Sequence, residues 1–283
     1  MLLNSESAPT ELHHGAWTSR NDHKQEFGRA AVRFTSPAQG PSPVLLQLLR
    51  SNASPRRDVY QFGVYTGIGL AKIAEYLEPS SRAPSKWRGM RLRQSVGIGH
   101  LWGFDSFQGI PEEAAEEQNA WSGTTAHFQR GGYSAADALR THDTRSLVEK
   151  VARLVSSRSG RPIASTTFVQ GFFNESLTPG LLESARRAGH PFQPALFVDM
   201  DVDIYTSTVQ AMDWMLANRL IVAGSIVRYD DWPTRNATTG RAAGTSDYGQ
   251  ARAHREVTER HRIVWRRMAG LGRGSQFVFM RVE

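Results

Sequence analysis

The sequence contains no cysteine. This absence excludes disulfide bonds, thiolate catalysis and cysteine-ligated zinc or iron–sulfur sites. No apolar run reaches the length of about 18 residues that a membrane-spanning helix needs. The N-terminal stretch MLLNSESAPTELHHG has neither the basic region nor the apolar region of a secretory signal. Together these absences predict a cytoplasmic protein that has no membrane partner.

A compact basic segment is also missing, although the chain is basic overall. Lys and Arg total 34 against 27 Asp and Glu, which leaves a net charge of +7. Such an excess suits an anionic partner, yet the arginine-rich segments 82–93 and 252–267 are not interleaved with aromatic residues as nucleic-acid surfaces are. We therefore predict no nucleic-acid partner and expect a small-molecule substrate, which the basic surface permits to be anionic.

The chain length predicts one sizeable domain. A chain of 283 residues without an internal repeat fits a single α/β domain at 41–283, preceded by a polar arm or lid at 1–40 that contains SPAQGPSP. Residues 233–247, which include GRAAGTSDYG, resemble an insertion that forms a loop. This loop would act as a lid or as a contact between subunits, so the sequence also permits a homo-oligomer.

Strand-like runs alternate with helical periodicity along the chain. This alternation predicts a Rossmann-like, doubly wound and mostly parallel sheet of seven strands, with helices on both faces. One helix is predicted over 135–154, and the closing pair of strands would place an antiparallel strand at or near one sheet edge. The first predicted strand begins at Asp58. The other six span His100–Phe104, Thr166–Val169, Ala195–Met200, Leu220–Tyr229, Arg262–Arg267 and Ser275–Val282.

A glycine-bearing turn follows the first predicted strand in the stretch FGVYTGIG, which begins at Phe62. Strand, glycine turn and helix form the opening unit of many nucleotide-binding folds. A tight turn needs glycine whether or not it binds a ligand, so the turn alone supports either reading. The helix after it is indicated by apolar residues at helical spacing, namely Leu70, Ile73, Ala74 and Leu77.

Asp105 ends the second predicted strand. An acidic residue at this place in such folds accepts hydrogen bonds from the ribose hydroxyls of a bound nucleoside. An aspartate at a strand end can equally cap a following helix. In combination with the glycine turn, Asp105 favours a nucleoside cofactor.

Acidic residues cluster after two neighbouring strands, in FVDMDVDIYTST and in RYDDW. Carboxylates at one sheet edge repel one another unless a cation or protons neutralise them, and an all-oxygen site suits Mg²⁺. Alternatively, individual acids cap helices or pair with arginines such as Arg228 and Arg235. The acids are Asp199, Asp201, Asp203, Asp230 and Asp231.

His127 lies in a segment rich in glycine and threonine, where a loop could cover a substrate. A histidine in such a loop can act as general base near neutral pH. The other reading is a solvated surface histidine.

Five blocks occur in one order: QFGVYTG, GFDSFQGIPE, FVQGFFNESL, VDMDVDIYTST and RYDDW. Together they resemble the macrocin O-methyltransferase family of class I S-adenosylmethionine-dependent enzymes. The resemblance covers roughly residues 58–232. It implies transfer of a methyl group from S-adenosylmethionine to a hydroxyl of a sugar or other natural product, with magnesium binding the acceptor.

The resemblance also implies roles for individual residues. Gly63, Val64 and Tyr65 would lie against the methionine portion of the cofactor. Asp105 would hold the ribose with Ser106 beside it, and Gln170 and Gly171 would lie near the adenine. Gln61 departs from the family, which often has glutamate at this contact to the methionine amino group.

The same resemblance implies a metal site, in which Asp201, Asp230 and Asp231 would bind Mg²⁺. Our hypothesis for the catalytic step is that a nearby carboxylate, such as Asp201, or His127 accepts the proton of the acceptor hydroxyl. Asp199 stands where some relatives carry a basic residue. Two other classes remain open: an oxidoreductase with a nucleoside cofactor, and a binding or scaffold protein that keeps the fold without its catalysis.

Overall fold

The computed structural model describes residues 56–78, 97–113, 130–232, 248–268 and 275–282. The predicted arm at 1–40, the predicted loop at 233–247 and the proposed base His127 lie outside these residues. No helix in the described ranges is long and apolar enough to cross a membrane.

Strands and helices alternate through most of the described residues, as the sequence predicts. The strands are β1 (Asp58–Phe62), β2 (Leu101–Asp105), β3 (Thr166–Gln170), β4 (Ala195–Met200), β5 (Ile226–Tyr229), β6 (Ile263–Met268) and β7 (Ser275–Val282). The helices are α1 (Ile68–Leu77), α2 (Ala135–Leu139), α3 (Thr144–Ser159), α4 (Phe173–Ser176), α5 (Leu181–Arg187), α6 (Tyr205–Ala217) and α7 (Gly249–His261), with a short 3₁₀ turn at Ile163–Ser165.

The strands described here form a 7-stranded sheet in the order β3-β2-β1-β4-β5-β7-β6. Strands β1 to β5 pair in parallel, whereas β7 is antiparallel to both β5 and β6. The prediction of a mostly parallel, Rossmann-like sheet is confirmed. The closing pair of strands lies at one edge, as expected.

Apolar side chains cover both faces of the parallel strands, which is why β4 is buried along its whole length. Val59 and Phe197 belong to a core cluster that includes residues of α1 and α3. Tyr60 and Met200 point to the other face and join a second cluster with residues of α5, α6 and α7. The two clusters show that helices cover both faces, as a doubly wound sheet requires.

Two of the predicted elements differ from those in the structure by more than one residue at a boundary. The single helix predicted over 135–154 is two helices, because Arg140 adopts a left-handed conformation with φ 49° and the Asp143 side chain accepts a hydrogen bond from the Ser146 N–H. Strand β5 begins at Ile226 instead of Leu220. Leu220 is buried, but the chain turns after it at Gly224, where φ is 85°.

Candidate active site

The glycine turn after β1 lies directly against the end of β4. Gly63 has φ 82°, and a Cβ atom at this position would lie 1.7 Å from the carbonyl oxygen of Asp201. Any other residue would therefore push the turn away from β4, in addition to the cost of the left-handed backbone. The predicted cofactor turn and the first predicted metal ligand are in contact.

The Asp105 carboxylate shapes this turn. One of its oxygens accepts hydrogen bonds from the Val64 and Tyr65 N–H groups, each at 2.7 Å, and the other accepts from the Phe107 N–H at 2.6 Å. Burial raises the pKa of Asp105, and these hydrogen bonds oppose that shift. A carboxylate offers about four lone-pair sites, so capacity remains for one ribose hydroxyl, and that predicted role stays a prediction.

The residues predicted to lie near the adenine are next to Asp105. Gln170 pairs with Asp105 across β2 and β3, and the Gly171 N–H donates to the Asp105 carbonyl oxygen at 3.1 Å. Ser106 stabilises its own loop, because its hydroxyl donates to the Gly109 carbonyl oxygen at 2.9 Å. The structure thus brings these residues to the same edge of the sheet as the glycine turn.

Gln61 is enclosed in the core. Its Nε2 atom donates to Asp199 Oδ2 at 3.1 Å and lies so close to α1 that a Cβ atom at Gly69 would be 2.6 Å away. Its Oε1 atom is buried without a hydrogen-bond partner. An acceptor therefore exists for the predicted contact with a methionine amino group, but the Gln61 side chain itself is directed at Asp199 and α1.

The three predicted metal ligands lie together at the ends of β4 and β5. One carboxylate oxygen each from Asp201, Asp230 and Asp231 lies within 4.8 Å of the others. Backbone hydrogen bonds continue past the strand ends: the Asp201 N–H donates to Phe62 and the Asp230 N–H donates to Met200, at 2.9 and 3.1 Å. The sheet itself therefore positions this carboxylate cluster of Asp201, Asp230 and Asp231.

Asp203 adds a further acid beside the carboxylate cluster. Burial raises the pKa of Asp201 well above its ordinary value, and the charges of Asp199 and Asp231 add to the shift. Burial also raises the pKa of Asp203, with the charges of Asp231 and Asp201 contributing. Burial likewise raises the pKa of Asp231, and its Oδ2 atom is buried without a hydrogen-bond partner. Crowded acids and an unsatisfied buried oxygen fit a divalent cation.

Arg228 pairs with two of the acids. Its Nη1 atom donates to Asp199 Oδ1 at 2.6 Å, and its Nη2 atom contacts Asp230 Oδ1. The alternative reading, in which arginines neutralise individual acids, is therefore correct for Asp199 and in part for Asp230. Arg235, the other arginine considered, lies outside the described residues.

Gln250 supports the carboxylate cluster and was missed by the sequence reading. Its Oε1 atom accepts from the Asp231 N–H, and its Nε2 atom donates to the Met200 carbonyl oxygen, both at 2.9 Å. The signal was present in the sequence: Gln250, Ala253 and Val257 fall at helical spacing and form the buried face of α7. A polar residue at such a core position needs partners, and here it joins β4 to Asp231.

Two tyrosines form an exposed aromatic rim near the acids. Tyr65 and Tyr133 contact edge to face with ring centroids 6.1 Å apart, and both have left-handed backbone conformations. They remain 37% and 47% exposed. Burial, together with the charges of Asp203, Asp231 and Asp201, raises the pKa of Tyr133 to about 12. The Tyr133 hydroxyl of this rim therefore lies close enough to the acids for their charges to raise its pKa.

Glu113 connects the loop after β2 to the start of α6. Its carboxylate accepts from the Thr206 N–H at 3.0 Å and from the Thr206 hydroxyl. Thr206 lies in the first turn of α6, where backbone N–H groups have no partner within the helix. This cap fixes the helix start directly after Asp203, so it also fixes the strand-to-helix turn that carries the acids.

Comparison with solved structures places the fold among methyltransferases. CalS11, a calicheamicin methyltransferase, aligns with 83% of this chain and 77% of its own at 16% identity and a TM-score of 0.51. The O-methyltransferase NovP aligns with 83% of this chain and 79% of its own at 17% identity and a TM-score of 0.51. No protein-family model and no curated protein sequence matches the chain. The chain therefore has a fold found in methyltransferases.

Proposed function

We propose that the protein is an S-adenosylmethionine-dependent O-methyltransferase of the macrocin O-methyltransferase type, acting with Mg²⁺ on a hydroxyl of a sugar or other natural product. The observation that carries this proposal is the contact between Gly63 and Asp201. It joins the turn suited to the cofactor to the carboxylates suited to the metal, on a fold found in methyltransferases.

The carboxylate cluster fits magnesium. Asp201, Asp230 and Asp231 supply oxygen ligands, which Mg²⁺ prefers, and leave positions for water or substrate oxygens. The buried, unpartnered Asp231 Oδ2 is the atom that most needs such a cation. When bound, the cation lowers the pKa of the acceptor hydroxyl, and S-adenosylmethionine supplies the methyl group.

The chain itself has to position the reactants and accept one proton. The turn at Gly63, Val64 and Tyr65 would hold the methionine portion, and Asp105 would use its remaining lone pair for the ribose. Because alignment of the nucleophile is the main requirement of an in-line displacement, these contacts would account for much of the rate. Asp201 or His127 would accept the proton that the acceptor hydroxyl loses.

Four observations support the proposed acceptor class. Metal-chelating carboxylates suit a substrate with adjacent hydroxyls, and the rim of Tyr65 and Tyr133 offers an apolar surface beside them. The basic chain permits an anionic group on the substrate. CalS11, which shares the fold, is a calicheamicin methyltransferase, and we extend the natural-product class of acceptor to this chain.

Isothermal titration calorimetry with S-adenosylhomocysteine tests the cofactor assignment, with and without Mg²⁺ and with NAD⁺ as the competing nucleoside. We expect binding of S-adenosylhomocysteine and none of NAD⁺. Transfer of a labelled methyl group to a panel of sugar nucleotides and catechols then tests the reaction. Binding of NAD⁺ alone would favour an oxidoreductase, and binding of neither would favour a scaffold protein with this fold.

Asp105→Ala is a poor probe for this test because the carboxylate accepts three backbone hydrogen bonds. Its loss would disturb the turn whether or not it binds ribose. Gln170→Ala is a cleaner variant, since its amide makes one long contact of 3.4 Å with the Thr144 hydroxyl. We expect Gln170→Ala to weaken S-adenosylhomocysteine binding without lowering the melting temperature.

A further inference from the structure

A polar row crosses the central strands on the face covered by α1 and α3. Gln61 of β1 is opposite Asp199 of β4, which is in turn opposite Arg228 of β5. The adjacent row on the same face is apolar and consists of Val59, Phe197 and Ile226. A charged row beside an apolar row in a buried sheet is costly unless its members are fully paired.

The members of this row are paired with one another. Asp199 receives hydrogen bonds from Gln61 on one oxygen at 3.1 Å and from Arg228 on the other at 2.6 Å. The side chains of Asp199 and Arg228 are 1% and 7% exposed. The two charges therefore neutralise each other in a place that water hardly reaches.

Arg228 extends beyond the row to the carboxylate cluster. A guanidinium group presents its donors in a rigid planar fork. One branch of the fork meets Asp199, and the other meets Asp230, one of the three grouped carboxylates. Asp199 is held by Gln61 on one side and by Arg228 on the other. The Arg228 guanidinium is therefore fixed in position, and its second branch contacts the Asp230 carboxylate from a defined direction.

We propose that Arg228 is a positioning residue for the metal site. Held by Asp199, it orients the Asp230 carboxylate so that the second oxygen of Asp230 is presented to the cation. Asp199 also neutralises the positive charge of Arg228, so that this buried guanidinium does not repel a metal ion bound next to it. This inference rests on the metal site of the proposed function.

The row carries a neutral side chain on β1, an acid on β4 and a cation on β5. Asp230 follows β5 directly, and Arg228, two residues before it, contacts its carboxylate. The register of the sheet therefore brings the cation of the row to the proposed metal site.

The test is Mn²⁺ binding to the full chain, measured by calorimetry without cofactor. The double variant Asp199→Asn/Arg228→Gln removes one negative and one positive charge, so the summed charge near the site is unchanged. Loss of an outer partner of a metal ligand typically costs about 10–100-fold in affinity, and we expect a loss in this range. Asp213→Asn/Arg260→Gln removes a partly exposed pair of the same charges and should bind Mn²⁺ like wild type.

Mn²⁺ affinity of the single variant Arg228→Lys provides a second test, which applies even if the double variant does not fold. Lysine keeps the charge but has no fork with which to hold two carboxylates, so we expect Mn²⁺ affinity below wild type with a similar melting temperature. Wild-type affinity in Arg228→Lys or in a folded double variant would overturn the positioning role while leaving the metal site intact. Absence of Mn²⁺ binding in wild type would overturn the metal site itself, and the positioning role with it.

Discussion

The two ends of the parallel strands bury carboxylates in opposite ways. At the amino end, Asp58 accepts hydrogen bonds from the His100 N–H and the Trp102 indole N–H, both at 2.8 Å, and from the Gln193 N–H at 3.1 Å. At the carboxyl end, Asp201 and Asp231 lie among other acids, and one oxygen of Asp231 has no partner.

This difference shows why burial of an acid does not by itself indicate a functional site. Burial raises the pKa of Asp58, as it does that of Asp201. The hydrogen bonds to Asp58 come from neutral donors that satisfy its lone pairs, so it stabilises the fold without needing a ligand. Asp201 has acids as neighbours, and such an arrangement is favourable only when something positive joins it.

The largest expected effect is at the carboxyl end. Asp201→Asn should lower the methyl-transfer rate by about 100-fold or more, because a metal contributes several kcal/mol to the transition state and each 1.36 kcal/mol is a factor of ten. Initial rates across a Mg²⁺ titration would measure this. Asp213→Asn, a substitution of the same kind on a partly exposed aspartate of α6, is the control. Full turnover with unchanged Mg²⁺ dependence in Asp201→Asn would remove this residue from the site.

The corresponding substitution at the amino end should lower the free energy of unfolding without changing Mn²⁺ affinity. Asp58→Ala removes the acceptor from one buried and two partly buried donors, and a buried donor left unsatisfied costs about 1–3 kcal/mol. We expect the free energy of unfolding in urea to fall by about 3 kcal/mol or more. Mn²⁺ affinity of the folded protein should stay at the wild-type value, and a weakened Mn²⁺ affinity would show that the two ends are not independent.

The acids should also make the metal-free protein less stable as pH rises. The folded-state pKa of Asp203 is raised well above its ordinary value, by burial first and then by Asp231 and Asp201. Between the ordinary aspartate pKa of about 3.9 and that raised value, the folded state keeps a proton that the unfolded state has lost. Stability is therefore full below the ordinary pKa and declines as pH rises through this window.

Asp203→Asn tests this decline. The variant should lose less stability than wild type between pH 5 and pH 8, by about 1 kcal/mol or a few degrees in melting temperature. Mg²⁺ should reduce the difference, because the cation takes over the role of the proton. Identical pH dependence of wild type and variant without metal would show that Asp203 does not titrate in this range.

The last expected effect is at the amino end; it is no larger than that of Asp203→Asn and has the opposite sign. Burial, with the nearby His190 and Arg161, lowers the pKa of His100 from 6.5 to about 4. A base with a lowered folded-state pKa contributes its full stability above pH 6.5, and this contribution is lost as pH falls toward 4. His100→Gln should therefore lose about 1 kcal/mol less than wild type between pH 7.5 and pH 5.5, measured by thermal unfolding. An equal loss in both proteins would exclude His100 as the titrating group.

Most strands of the sheet and the position of the acids could be predicted from the sequence. Parallel strands buried on both faces appear as apolar runs, and acids after two such runs must meet if the strands are neighbours, as Asp201 and Asp230 do. The break before α3 was missed because apolar residues continue at helical spacing through Leu139 and Leu147, while the cap at Asp143 is a local hydrogen bond.

The partners of the acids could not be predicted in the same way. Arg228 faces Asp199 because of the register between β4 and β5, which no local pattern specifies. Gln250 reaches Asp231 from a helix 19 residues further along the chain. The role of Asp58 cannot be predicted from the sequence, because an acid at the start of a strand has many ordinary explanations. These residues depend on tertiary contacts, and only their burial and bonding reveal what they do.

The closeness of Gly63 to the Asp201 carbonyl oxygen has a practical consequence for engineering. The two segments have no space between them in which one could move without displacing the other. If this turn binds the cofactor as proposed, a substitution that makes room for a bulkier cofactor analogue would also shift Asp201, the proposed metal ligand. Mutagenesis aimed at new alkyl donors should therefore begin at Gln170, the last residue of the edge strand β3.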